Sequence, residues 1–309
     1  MGKIFIGLTD YNWYMTLRNR QFDEVNYWRP GSLEFHALQP NDLFLFKLKK
    51  PYYAIVGGGF FVRYSFIPIH IAWEAFGEKN GTSSFDIFSE RIKKYREKNR
   101  ISIDYPSVGC IILTEPFFFE EKDWISPPND WHYSVVAGKT MTTDDGEGKR
   151  IYDQILGRVH FSSSTNGSDA EKVISDTKYC VSMAKHRLGQ GAFRVAVTDT
   201  YYRRCAISGE RTLPVLQAAH IKPFAQNGPN LIQNGILLRS DIHTLFDNGY
   251  LTISPDFHVE VSHRLKDDFG NGKIYYQYHG EKIITLPEKN TEMPALEFLN
   301  WHNEKVYLG

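Results

Sequence analysis

Cysteine is scarce in this chain: Cys110, Cys180 and Cys205 are the only three, far apart and with no Cys-x-x-Cys pair. Their spacing excludes a four-cysteine zinc site, argues against a disulfide framework and fits a reducing compartment. Net charge is missing as well, because 36 Lys and Arg balance 36 Asp and Glu. Attachment to a polyanion by bulk charge is therefore not expected. Local basic runs remain at Arg91–Lys98, Arg203–Arg204 and Lys222, the first of them reading as a solvated face. No apolar run approaches the roughly 20 residues that span a bilayer. The opening MGKIFIGLTDYNW is too short and too polar in its apolar part for a signal peptide, and Ile6 stands where a myristoylation pattern requires Ser or Thr. A soluble, cytoplasmic protein with no membrane association is expected. Neither internal repeats nor low-complexity tracts are present.

Aromatic residues, by contrast, make up 15% of the 309 residues, a length sufficient for two domains with separate cores. Residues 1–160 read as mostly β, with strands at Lys3–Leu8, Leu43–Leu48, Tyr53–Gly57, Gly109–Leu113 and His132–Val136, punctuated by Asn41-Asp42 and by Gly57-Gly58-Gly59. Phe85, Phe88, Ile92 and Tyr95 recur at helical spacing and predict a helix over Ser84–Asn99; a second is expected over Gly148–Gly157. Residues 161–186 contain SSSTNGSDAEK and read as a linker. Beyond it, residues 187–309 begin with a helix from Gly191 to Tyr202. Two short strands are expected around Val215–Ile221, then a loop rich in Asn, Pro and Gly, a helix over Ser240–Phe246, and a hairpin turning at Pro255-Asp256.

The chemistry concentrates between Cys205 and Leu251. His220 ends an apolar run, Asn234 lies in the loop, and His243 and Asp247 are spaced i, i+4, which on a helix places both side chains on one face. A lone imidazole, a loop amide and an imidazole–carboxylate pair are what a one-metal phosphodiesterase requires. His220 is the candidate general base, since imidazole titrates near neutrality. His243 and Asp247 are the candidate metal ligands, a nitrogen and an oxygen suiting Mg2+ or Mn2+, with Ni2+ or Zn2+ also suited. Asn234 has no base strength and is expected to tie the loop. Asp247 has a second reading as part of a helix end capped at Gly249. Asp241 reads as a helix-start residue. His186, His258 and His263 read as structural or surface residues.

The ordered set of Cys205–Gly209, AHI (Ala219–Ile221), NGILL (Asn234–Leu238) and DIHTLFDNG (Asp241–Gly249) resembles the HNH endonucleases over roughly Gly189–Leu265. The resemblance implies a ββα-metal unit, with His220, Asn234 and His243 as its named residues. Two departures stand out. Ala219 occupies the position before the base where many members carry a metal ligand, and Ser208 occupies the second position of the zinc knuckle, so Cys205 is expected to be a packed turn residue.

In the N-terminal half, the W-R-P turn at Trp28–Pro30, the strand N-D-L-F-L-F, the strand I-V-G-G-G with its downstream Ala72-Trp73, and the late Asp123-Trp124 resemble an EVE domain of the PUA superfamily. An α+β architecture follows: an EVE-like β-barrel with helices, then the HNH domain. What the two resemblances imply together is a modification-dependent restriction endonuclease. Its partner would be double-stranded DNA carrying 5-methylcytosine or 5-hydroxymethylcytosine, read by base flipping, and the enzyme would act as a homodimer. Such a base needs aromatic walls. Among Trp28, Phe60, Trp73, Trp124 and Trp131, the residues expected at the pocket are Trp28 and Trp73. Two rival readings are an HNH nuclease guided by an RNA-binding PUA-like domain, and a reader of modified nucleic acid without catalysis.

Overall fold

A computed structural model describes residues 2–31, 34–102, 106–132, 134–135, 137–164 and 188–309. Most of the expected linker, and His186 with it, lie outside these residues. The chain divides into two compact units, Met1–Gly189 and Gln190–Gly309. Among the described residues, no helix is long and apolar enough to cross a membrane.

The first unit is built on one six-stranded sheet: β1 (Lys3–Thr9), β2 (Glu24–Arg29), β3 (Leu43–Leu48), β4 (Ile55–Pro68), β5 (Ser107–Phe118) and β6 (Gly138–Thr142), in the order β2-β5-β4-β3-β1-β6. Only β1 and β3 run parallel; the other pairings are antiparallel. All six residues of β3 are buried because the sheet is covered on both faces, which is why LFLFKL reads as a continuous run rather than an alternation. Phe44, Phe46 and Leu48 pack on one face with Trp13, Tyr14 and Leu17 of helix α1 (Tyr11–Arg18). Leu43 and Leu45 pack on the other with Ile151 and Ile155 of helix α4 (Gly146–Ser164). Lys47, the polar member of the run, lies fully buried with its ammonium 3.6 Å from the Tyr53 ring centroid and 4.8 Å from that of Trp131. Burial lowers its pKa to about 8.

Between α1 and α4 come α2 (Ile69–Phe76) and α3 (Phe85–Lys98). The α3 helix matches its predicted span: Ser84 accepts a hydrogen bond from the Ile87 amide as N-cap, and Phe88 and Ile92 face the core. Phe85 and Tyr95 of the predicted stripe are exposed, however, and Arg96, expected on a solvated face, is fully buried, with its guanidinium donating to the carbonyls of Pro30 and Ser107.

Three further expectations are corrected. The barrel is not closed, since the edge strands β2 and β6 have no pairing with each other. No strand forms among the described residues of His132–Val136, and the edge strand is instead Gly138–Thr142. Gly57-Gly58-Gly59 does not punctuate; it runs inside β4, which is 14 residues long and shifts register at Gly58/Phe60 and Phe61/Arg63. Glycine is required there by close approach, because a Cβ on Gly58 would stand 2.7 Å from the Phe44 carbonyl oxygen.

The second unit opens with α5 (Gln190–Thr200). A two-stranded ribbon follows, made of β7 (Leu216–His220) and β8 (Gly235–Arg239), and then α6 (Ser240–Asp247). The expectation of two strands within Val215–Ile221 is therefore corrected: one strand lies there, and its partner comes after the Asn/Pro/Gly loop. The expected hairpin is present as β9 (Leu251–Ile253) and β10 (Val259–Val261). Short helices α7 (Arg264–Phe269) and α8 (Lys273–Tyr276) precede α9 (Leu296–Lys305).

Beneath α6 sits His302 of α9, stacked on Phe246 with centroids 3.7 Å apart. Its Nε2 lies 3.0 Å from the Phe246 carbonyl oxygen and its Nδ1 2.8 Å from Thr252 Oγ1. The carbonyl can only accept, so Nε2 carries the proton and Nδ1 accepts from the hydroxyl. Burial lowers its pKa from 6.5 to about 4. The folded state therefore binds fewer protons than the unfolded chain between these values, and the stabilisation of the neutral ring is lost as pH falls from about 6.5 towards 4. The shift is worth on the order of 3 kcal/mol. Urea unfolding of the protein at pH 7 and pH 4.5 should show a shallower pH dependence for His302→Gln than for wild type; equal slopes would contradict this assignment.

Candidate active site

The ribbon and α6 carry the predicted catalytic residues. Cys205, fully buried, holds the turn before the ribbon: its Sγ accepts from the backbone amides of Ser208 at 3.4 Å and Arg239 at 3.3 Å. It is a packed turn residue. Ala219, also fully buried, pairs with Ile236 across the ribbon and offers no ligand.

His220 ends β7, opposite Gly235. Its ring lies flat on Phe193 of α5, with centroids 3.9 Å apart and planes 9° from parallel. Gly235 permits this approach, since a Cβ there would stand 3.0 Å from the Phe193 ring. Nε2 of His220 lies 2.8 Å from Asn230 Oδ1. An amide oxygen only accepts, so the proton resides on Nε2 and Nδ1 is the basic nitrogen. Burial lowers the His220 pKa, opposed by the Asn230 hydrogen bond and by the charge of Asp247, while His243 lowers it further. The partner strand β8 ends at Arg239 and leads directly into α6 at Ser240, so His220 and the α6 residues belong to one ββα unit.

Asn234 is fully buried and staples the loop. Its Oδ1 accepts from the Lys222 amide at 2.8 Å, and its Nδ2 donates to the carbonyls of Lys222 and Pro229, each at 2.9 Å. Backbone groups that the loop leaves unpaired thus find a partner in one side chain. The same staple fixes Pro229 beside Asn230, and so sets where the His220 tether begins.

His243 and Asp247 leave one face of α6, with Nε2 and Oδ2 3.2 Å apart. Nδ1 of His243 lies 2.7 Å from Gln217 Oε1 on β7. As Gln217 Oε1 accepts, Nδ1 carries a proton and Nε2 is left facing the carboxylate. Two electron-pair donors at this distance stabilise each other only with a cation between them, either a proton or a metal. An octahedral ion with bonds of about 2.1 Å spaces adjacent ligands about 3.0 Å apart, so the pair fits a divalent cation. Among the described residues, no group of three or more His, Cys, Asp and Glu side chains is positioned to hold a metal. His243 and Asp247 would therefore be the protein's contribution, with water and substrate completing the shell. Asp241 is held elsewhere, by Arg239 through two hydrogen bonds of 2.7 and 2.8 Å and by the Tyr275 hydroxyl at 3.1 Å.

Asn230, Gln217 and Phe193 were not anticipated. Asn230 lies in a loop whose composition signals turns, and nothing in the sequence distinguishes it from Asn227.

In the first unit, Trp28 and Trp73 both pack on Phe88, at 5.7 and 6.0 Å between centroids, with planes 81° and 34° apart. The structure thus brings these two tryptophans to one place, both half-buried. Trp28 Nε1 donates to the Asn80 carbonyl at 3.0 Å. Trp124 and Trp131 pack elsewhere, against Tyr14 and over Lys47.

Residues 205–254 match the family model described as HNH endonuclease. The chain therefore carries an HNH endonuclease domain, and it is a metal-dependent nuclease. Among solved structures it is similar to the ASCH protein from Zymomonas mobilis, at 7% identity over 48% of this chain and 94% of that one, with a TM-score of 0.34. A point mutant of that protein gives 7% identity, 48% and 96% coverage and a TM-score of 0.36. It is also similar to the modification dependent TagI restriction endonuclease, at 15% identity over 97% of this chain and 81% of that one, with a TM-score of 0.28. No curated protein matches the chain.

Proposed function

We propose that the protein is a modification-dependent DNA restriction endonuclease. In this reading, residues 1–160, an EVE-like module, read 5-methylcytosine or 5-hydroxymethylcytosine in duplex DNA by base flipping, and residues 187–309 hydrolyse the backbone. The observation that carries the hydrolytic half is the ββα unit that holds a tethered imidazole, His220, on its ribbon and the His243–Asp247 pair on the helix that follows.

In-line attack on a phosphodiester needs a group to accept the water's proton and positive charge near the phosphoryl oxygens. His220 accepts that proton at Nδ1, with Asn230 and Phe193 holding the ring against rotation. A divalent cation, Mg2+ or Mn2+ in the first instance and Ni2+ or Zn2+ as alternatives, supplies Lewis-acid stabilisation of the developing charge when held by His243 and Asp247. Asn234 keeps the loop closed, so that His220 and the pair on α6 stay in register. One such site cuts one strand, so double-strand cleavage calls for two sites; a homodimer acting in the cytoplasm is the proposed form.

The depressed pKa of His220 has a kinetic consequence. The acid limb of kcat/KM should fall below the ordinary histidine value of about 6.5. Asn230→Ala should lower the rate roughly 10- to 100-fold by freeing the ring, and move that limb further towards acid, because the hydrogen bond it removes favours the charged ring. A pH–rate profile of the two proteins checks both; a limb at or above the ordinary value in wild type would contradict the assignment of His220 as base.

The reading as a DNA enzyme is tested by cleavage of duplex DNA and of RNA with Mg2+, Mn2+ or EDTA. Metal-dependent cutting of DNA is expected. Cutting of RNA alone would favour an HNH nuclease guided by an RNA-binding PUA-like domain, and binding of modified DNA without cleavage would favour a non-catalytic reader.

A further inference from the structure

In a chain where 36 of 309 residues are Asp or Glu, residues 211–240 hold three cations, Arg211, Lys222 and Arg239, and no carboxylate. This stretch contains both strands of the ribbon and the loop between them. The loop is closed at its base. Asn234 bonds both limbs, at Lys222 and at Pro229, and the Gly228 amide donates to the Pro223 carbonyl at 3.0 Å. The limbs meet so closely that a Cβ on Gly228 would collide with the Lys222 carbonyl oxygen. Beyond this closure a single 3-10 turn, Phe224–Gln226, ends at Asn227 in the left-handed conformation, with φ 61°. Residues 224–227 all stand exposed. Phe224 is 71% exposed, more than any other large apolar side chain given as exposed among the described residues. Single exposed apolar side chains are common on protein surfaces. This one is held in water by a pinned backbone, four residues after His220. Four residues of chain span at most about 14 Å, and stacked bases rise about 3.4 Å per step, so a duplex with a phosphate at His220 runs within a few steps of Phe224.

We propose that Phe224 is a wedge that enters the base stack beside the scissile phosphate and parts two neighbouring base pairs, so that the ease of unstacking helps to set where the duplex is cut. The inference rests on the reading of the protein as a nuclease of duplex DNA and adds to it the residue that deforms the duplex. The ring takes over stacking that the parted bases give up, and a loop without carboxylates lets the phosphates approach. The closed base of the loop serves the same end, since a wedge on a slack loop yields before the stack does. Pyrimidine–purine steps, TA and CA/TG, unstack most readily, and cutting should concentrate there.

Cut positions of the full-length protein are mapped first, on duplexes with and without modified cytosine, in Mg2+ or Mn2+. The fluorescent base 2-aminopurine, which brightens when unstacked, then replaces a base at the preferred step of an uncleavable duplex. Wild type and Phe224→Leu, which keeps an apolar wedge, should raise the signal on binding, and Phe224→Ala should leave it flat. On the paired duplex Phe224→Ala should cut roughly 5- to 150-fold more slowly, the range of one lost aromatic stacking contact. Its thermal transition should not change, because the ring is exposed. On a duplex mismatched at the same step, which is already partly unstacked, Phe224→Ala should recover most of that loss. A flat signal in wild type, equal loss on the paired and mismatched duplexes, or no loss on either would overturn the inference and leave the nuclease in place. A changed oligomeric state in Phe224→Ala would also overturn it, by giving the ring to a second copy of the chain. A wild type that cuts no duplex DNA would overturn the reading and the inference together.

Discussion

Replacing His220 with alanine is expected to lower cleavage by roughly 10²- to 10⁴-fold while DNA binding stays near wild type. The ring makes its protein contacts to Phe193 and Asn230 at the end of a strand, so its removal takes away the base and leaves the ribbon's backbone pairing intact. Single-turnover cleavage beside an anisotropy titration separates the two quantities. Near-normal turnover in a folded His220→Ala protein would remove this residue from the mechanism.

The second large effect is expected at α6. His243→Ala should abolish cleavage by removing the nitrogen ligand, and Asp247→Ala should weaken metal affinity in a way that excess Mn2+ restores. Neither side chain is buried, at 21% and 52% exposure, so the fold should tolerate both changes. Isothermal titration of the metal in the presence of an uncleavable DNA measures the loss directly. Unchanged affinity in Asp247→Ala would return that residue to a helix-end role and leave His243 alone on the helix.

Much of the site was legible because its signals are local. The i, i+4 spacing of His243 and Asp247 places them on one face of any helix. Asn234 showed itself as a loop amide, and its hydrogen bonds are of the loop-tying kind expected. The span of the α3 helix was legible for the same reason, with Ser84 as cap and an apolar stripe. What was not legible depends on partners distant in the chain. The partner of β7 begins 15 residues after that strand ends, so the sequence suggested two adjacent strands where one pairs across the loop. Gly57-Gly58-Gly59 reads as a break because glycine usually is one; its need for room under Phe44 appears only once β3 and β4 are paired. The barrel failed at closure, a property of the two edge strands that no short window contains. Asn230 and Gln217 orient the two histidines. Nothing in the residue types distinguishes these two side chains from ordinary polar ones, and only the folded distances do.

In the proposed function, reading a modified base and cutting the backbone belong to one molecule. The direct measurement is cleavage of matched duplexes carrying cytosine, 5-methylcytosine or 5-hydroxymethylcytosine, each with Mg2+, with Mn2+ and with EDTA. Cutting is predicted on at least one modified duplex with metal, with little on the unmodified duplex and none in EDTA. Equal cutting of all three duplexes would leave a metal-dependent HNH nuclease and contradict the modified-cytosine reader, and cutting that persists in EDTA would contradict the site on α6.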